Sequence, residues 1–100
     1  MILTKAEPFT TVNDQKIIIE SLAMDLKRVS IGLQRGSKNM AKRFFQEALI
    51  RKSEIDQRTV PSYIRSILSK LDAKRIDEKF AEDALMYSIL FQNFAQRKLT

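Results

Sequence analysis

Apolar residues recur every three or four positions along most of this chain, which is the spacing that places them on one face of an α-helix. No segment alternates apolar and polar residues with the period of two that a half-buried strand requires. Only two glycines and two prolines interrupt the chain, which favours a few long elements. The sequence therefore predicts an all-α fold. The clearest apolar stripe is Ile18, Leu22, Leu26, Val29 and Leu33.

Residues that start and stop helices divide the chain into four predicted helices. Gly36 suits the left-handed position that ends a helix, and Ser37 suits the cap of the next one. Pro61 suits the first turn of a third helix, and Asp77 the N-cap of a fourth. Short links between antiparallel helices are typical of bundles. We therefore expect a four-helix bundle, in up-down-up-down order, with helices at about 14–35, 38–54, 61–73 and 78–99.

One hundred residues suffice for a single domain with its own core. We expect residues 1–12 to form an extended segment, because Pro8 disfavours helix just before it, and residues 13–100 to form one helical-bundle domain. A four-helix array with other crossing angles is the alternative architecture.

Composition also predicts a soluble, cytoplasmic protein without a membrane partner. The N-terminus lacks the basic and apolar regions of a signal peptide. The densest apolar stretch, residues 84–91, is far shorter than the ~20 residues of a membrane span. The absence of cysteine fits a reducing compartment.

The absence of both histidine and cysteine removes the usual general base, metal ligands and thiol nucleophile. Glu78 and Glu82 share a face near the start of the predicted fourth helix, where negative charge offsets the helix dipole. We therefore interpret them as residues that stabilise the helix and not as a metal-binding pair. No glycine-rich phosphate loop or nucleophile elbow occurs. The sequence predicts no catalytic, cofactor-binding or metal-binding residues, and a protein that is not an enzyme.

The predicted fourth helix carries more apolar surface than one buried stripe needs. It is either the central helix of the monomer or part of a homodimer interface, and a bundle of this size has little room for a fully surrounded helix. We favour the dimer, or a different protein partner on the same patch, and Leu90→Glu would convert the dimer to a folded monomer. The first helix contributes a second apolar seam. The predicted interface comprises Ile17, Met24, Ile31, Met86, Tyr87, Leu90 and Phe94.

Positive charge is concentrated in the second quarter of the chain. Residues 26–53 carry eight basic residues and one acid, a net +7, whereas the remainder carries ten basic and eleven acidic residues. If the first two helices are antiparallel neighbours, their basic residues join in one patch suited to phosphate contacts. No aromatic side chain is expected among them, because Phe44 and Phe45 are assigned to the buried face. The predicted patch comprises Lys27, Arg28, Arg35, Lys38, Lys42 and Arg43.

These patterns predict a small regulatory or adaptor protein that acts through helix-mediated protein–protein contacts, as a homodimer. Nucleic-acid binding through residues 27–43 is the alternative, and the basic face also suits an acidic protein or simple solvation. A helix-turn-helix over residues 59–71 is disfavoured, because the preceding link lacks the usual turn glycine. The sequence does not identify a partner.

Overall fold

The protein is all-α in its computed structural model, which describes residues 12–72 and 76–98. No strand occurs within these ranges, and the predicted four-helix bundle is confirmed. The extended segment predicted for residues 1–12 lies outside the described residues, apart from Val12, with which the first helix begins. The elements are α1 (Val12–Gln34), α2 (Lys38–Glu54), a 3-10 turn (Gln57–Thr59), α3 (Ser62–Ser69) and α4 (Phe80–Lys98).

Helix α1 lies between α2 and α4 and forms the main helix contacts of the bundle with both. In the second half of α1, the Ser30 hydroxyl donates a buried 2.7 Å hydrogen bond to the Ala81 carbonyl in the first turn of α4. Near the start of α1, the Gln15 amide oxygen accepts a 3.2 Å hydrogen bond from the Asp56 amide, just beyond α2. Both neighbours therefore run antiparallel to α1, and α1 rather than α4 occupies the middle of the fold.

The turn between α1 and α2 has the capping chemistry that the sequence predicts. Gly36 adopts a φ of 78°, the left-handed conformation that ends a helix. The Ser37 hydroxyl accepts a 3.3 Å hydrogen bond from the Met40 amide and so caps α2. The Ser37 amide in turn donates to the Gly32 carbonyl at 2.8 Å. These local bonds fix the α1–α2 hairpin.

Aromatic rings fill the core beside α1. Phe80 meets both Phe45 of α2 and Tyr87 of α4 edge-to-face, with ring centroids 5.6 Å and 6.4 Å away. At the edge of the core, the exposed Tyr63 of α3 contacts the buried Phe94 of α4 in the same way, at 6.4 Å. Edge-to-face pairs of this kind add stability beyond simple area burial. The largest fully buried apolar side chains are Phe45, Phe80, Phe91, Ile19, Leu22, Leu26, Ile64, Leu68 and Val29.

Three helix boundaries differ from the prediction by two residues or more, and the first is the start of α1 at Val12, two residues early. Helix α3 ends at Ser69, earlier than expected. Leu71 lies in the link that follows, and its side chain is still buried in the core. The Leu71 carbonyl accepts a 3.2 Å hydrogen bond from Lys52 Nζ of α2. Helix α4 begins at Phe80, where the Asp77 carboxylate caps it by accepting the Phe80 amide at 3.0 Å. The predicted Asp77 cap is thus confirmed, with the helix starting slightly later.

Candidate interaction surfaces

Helix α4 buries one face, and its exposed face is apolar near the middle of the helix but polar towards both ends. Its inward face combines small and aromatic residues, including the fully buried Ala84 and Phe91. On the outward face, Leu85, Met86 and Ile89 are 37%, 49% and 48% exposed. These three residues are called the α4 surface below. They lie within one helical turn of each other, so they form a contiguous apolar area.

Two residues of the predicted interface belong to the core instead. Tyr87 and Phe94 are each only 5% exposed, because their rings pack against Phe80 and Tyr63 respectively. Leu90 is half-buried and packs against the core cluster. Of the α4 residues predicted to contact a partner, only Met86 has its side chain largely outside the core. Leu90→Glu would therefore disturb folding and is not a clean test of association.

Two of the three residues in the second apolar seam of α1 lie outward, as the sequence predicts for all three. Ile17 and Met24 are 61% and 44% exposed, whereas Ile31 is half-buried. Ile17 and Met24 form the apolar rim of an open groove of about 340 Å³ between α1 and the C-terminal half of α2. The groove, called the α1 groove below, is lined by Ile17, Glu20, Ser21, Met24, Asp25, Arg28 and Arg51.

The α1 groove has a charged floor beneath its apolar rim. Asp25 is nearly buried, and this burial raises the pKa of its carboxyl group above the usual range. The neighbouring Glu47 also raises this pKa, while Arg51 and Arg28 lower it without cancelling the effect of burial. Arg51 Nη1 donates a 3.4 Å hydrogen bond to Glu54 Oε1. The buried Nε of Arg51 has no hydrogen-bond partner among the described residues. Sequence reasoning missed this groove, because its charges come from two helices.

The structure brings two residues of the predicted basic patch together on an aromatic ring. The guanidinium carbons of Arg28 in α1 and Arg43 in α2 lie 5.3 Å and 5.7 Å from the centroid of the Phe44 ring. Both distances fall within the range of cation–π attraction. Phe44 is half-buried and packs against the core cluster, so it lies at the edge of the buried face to which it was assigned. Phe45, in contrast, is buried as predicted.

The other basic residues are spread around the hairpin. Lys27, Arg35 and Lys42 are exposed, and none of them forms an ion pair with a described residue. Lys38 lies on a different side, where it lines a cavity with Asp77 and Glu78 before α4. The predicted patch is therefore divided, with Arg28 and Arg43 as its one directly observed pair.

The described residues contain no group of three or more histidine, cysteine or acidic side chains placed to hold a metal ion. None of the helices in the described ranges combines the length and the apolar character needed to cross a membrane. Comparison of the chain with protein-family models, with curated proteins and with solved structures finds no match. The α4 surface, the α1 groove and the arginine pair on Phe44 are therefore the features that indicate a function.

Proposed function

We propose that the protein is a small non-enzymatic adaptor or regulatory module that acts through helix-mediated protein–protein contacts and pairs with a second copy of itself. The observation that carries the proposal is the α4 surface, where three adjacent large apolar side chains face outward. Contiguous apolar surface on a protein of this size is typical of contact sites. The lack of histidine and cysteine in the sequence supports a role without catalysis.

A second copy suits this surface because a two-fold axis places identical patches against each other. Helix α4 has 19 residues, or roughly 28 Å of length, and the α4 surface lies near its middle with exposed polar residues on both sides. The exposed Ile17 and Met24 of α1 offer further apolar area for the same or another protein partner. The cytoplasmic location stays a prediction from composition.

Ile89→Glu tests the proposal, because Ile89 lies in the α4 surface and glutamate is a good helix former. Light scattering coupled to size exclusion should give a mass of twice 11.6 kDa for the wild type. The variant should elute as a monomer with an unchanged circular dichroism spectrum, because burying an unpaired carboxylate against apolar side chains is costly. We expect its dissociation constant to rise by at least about 100-fold, which corresponds to roughly 2.7 kcal/mol.

Gln46→Glu is the matched control. It adds the same charge at an exposed position of α2, which α1 separates from α4. We expect this variant to remain dimeric. A wild-type protein that is monomeric at 100 µM would refute the homodimer, as would equal dissociation by both variants.

A further inference from the structure

The whole net charge of the protein resides in one helical hairpin. Residues 26–46 contain six basic residues and no acid, whereas the rest of the chain contains twelve of each. This segment, called the basic hairpin below, runs from the second half of α1 through the Gly36 turn into the first half of α2. A field with this much asymmetry attracts polyanions over distances comparable to the Debye length.

Two arginines of the basic hairpin are held in place before any ligand arrives. Arg28 and Arg43 approach the Phe44 ring from separate helices, at 5.3 Å and 5.7 Å. Arg28 also lies 3.9 Å from the Asp25 carboxylate, a distance at the outer limit of an ion pair. Because the ring restrains both side chains, less conformational entropy is lost when they bind. The planar guanidinium group presents paired donors that match phosphate oxygens.

Further polar groups continue this surface along both helices. Asn39, Arg43 and Gln46 are exposed and follow the spacing i, i+4, i+7, so they lie on one stripe of α2. Arg35 is exposed in the turn that directly follows α1, seven residues after Arg28, a spacing that offsets the two by only about 20° around a helix axis. Arginine, asparagine and glutamine are the side chains that commonly contact nucleic-acid phosphates and bases.

We propose that the basic hairpin binds the phosphodiester backbone of a nucleic acid, with Arg28 and Arg43 as its anchoring residues. No large apolar side chain is exposed within residues 26–46. A membrane-surface helix inserts apolar residues, and a protein interface usually has an apolar or aromatic centre. Apart from the half-buried Phe44 ring beneath the two arginines, the exposed surface here is polar and cationic, which favours a backbone of repeated phosphates over either of those partners.

The salt dependence of binding can be estimated from the number of cations. If Arg28, Arg35 and Arg43 each neutralise one phosphate, the slope of log affinity against log salt is roughly −2.7 for duplex DNA. Raising the salt concentration from 50 mM to 200 mM should then weaken binding about 40-fold.

The test is fluorescence anisotropy with a labelled 20-base-pair DNA duplex and, in a second arm, a labelled 20-nucleotide RNA, each at both salt concentrations. Arg43→Gln should weaken binding and reduce the slope by about one. Arg43→Lys should also weaken binding while keeping the slope, because charge is retained but the guanidinium fork is lost. The control is Arg97→Gln, which removes one charge from an exposed position in the last turn of α4 and should leave affinity unchanged.

Binding of either nucleic acid supports the proposal. The one that binds more tightly shows whether the phosphates belong to DNA or to RNA. The proposal is overturned if neither nucleic acid binds at 50 mM salt, or if Arg97→Gln weakens binding as much as Arg43→Gln. It is also overturned if polyglutamate competes as well as DNA at equal charge, or if phosphatidylserine vesicles bind the protein and nucleic acid does not. Because the α4 surface is separate, Ile89→Glu should retain binding, so a failure of the dimer proposal leaves this one standing.

Discussion

Gly32→Ala should destabilise the protein, although alanine is ordinarily the better residue inside a helix. A Cβ atom at Gly32 would lie 2.9 Å from the Ala41 backbone nitrogen and 3.2 Å from the Ser37 carbonyl oxygen. Both are backbone atoms, so no side-chain rotation can relieve the contact, and α2 must move away from α1. The 2.8 Å hydrogen bond from the Ser37 amide to the Gly32 carbonyl resists that movement.

The expected loss follows from two opposing terms. Overpacking of this kind costs ~1–3 kcal/mol. The higher helix propensity of alanine returns at most ~1 kcal/mol, and less near a helix end such as Gln34. The free energy of unfolding should therefore fall by about 1–2 kcal/mol. For a domain of this size each kcal/mol shifts the melting temperature by roughly 4–8 °C.

Gly36 provides a matched comparison with a different physical cause. Its φ is +78° and a Cβ atom at this position would have no neighbouring atom within 4 Å, so alanine there suffers only backbone strain. Urea unfolding followed by circular dichroism should show Gly36→Asn to be more stable than Gly36→Ala, because asparagine tolerates the left-handed region. At Gly32 stability should instead fall with size, so serine is worse than alanine. A Gly32→Ala protein as stable as the wild type would refute the close helix approach.

Two further predictions concern buried polar groups of α1. Ser30→Ala removes the buried hydrogen bond to the Ala81 carbonyl and should lower the free energy of unfolding by about 1 kcal/mol, measured by urea denaturation; an unchanged midpoint would contradict this. Burial raises the pKa of Asp25 in the folded state, so between the unfolded and folded pKa values the native state binds more protons and stability falls as pH rises. Asp25→Asn should therefore melt above the wild type at pH 7, and the difference should shrink as pH falls through the raised pKa of Asp25; a constant difference would contradict the assignment.

The sequence predicts the helices well where their limits depend on local chemistry. The Gly36 turn and the caps at Ser37 and Asp77 are confirmed, because each involves bonds within a few residues. The end of α3 was predicted too late, because Leu71 continues the apolar spacing although it is not helical. Its carbonyl is satisfied by Lys52 of α2, a contact between distant segments that periodicity cannot reveal.

The stripe on α4 that was assigned to a partner shows a more general limit of spacing arguments. A step of four residues in a helix of 3.6 residues per turn advances by about 40°. The row Met86, Leu90, Phe94 therefore slants across the helix surface. Along it the side chains pass from 49% exposed through half-buried to 5% exposed. A row that repeats every four residues cannot remain on one surface over this length.

The residues of the α1 seam are seven apart, so they also change direction around their helix axis, by a smaller angle of ~20° per heptad. Ile17 is the most exposed of its residues, Met24 is less exposed and Ile31 is half-buried. The exposed residues of α4 are therefore identified by their angle around the helix axis, measured from the small buried residues. A repeat of four residues in the sequence does not identify them. Leu85 and Met86 are one residue, or about 100°, apart, and Ile89 projects between them. Ile89 is thus central to the exposed arc, so a charge there acts on association while leaving the buried aromatic contacts intact.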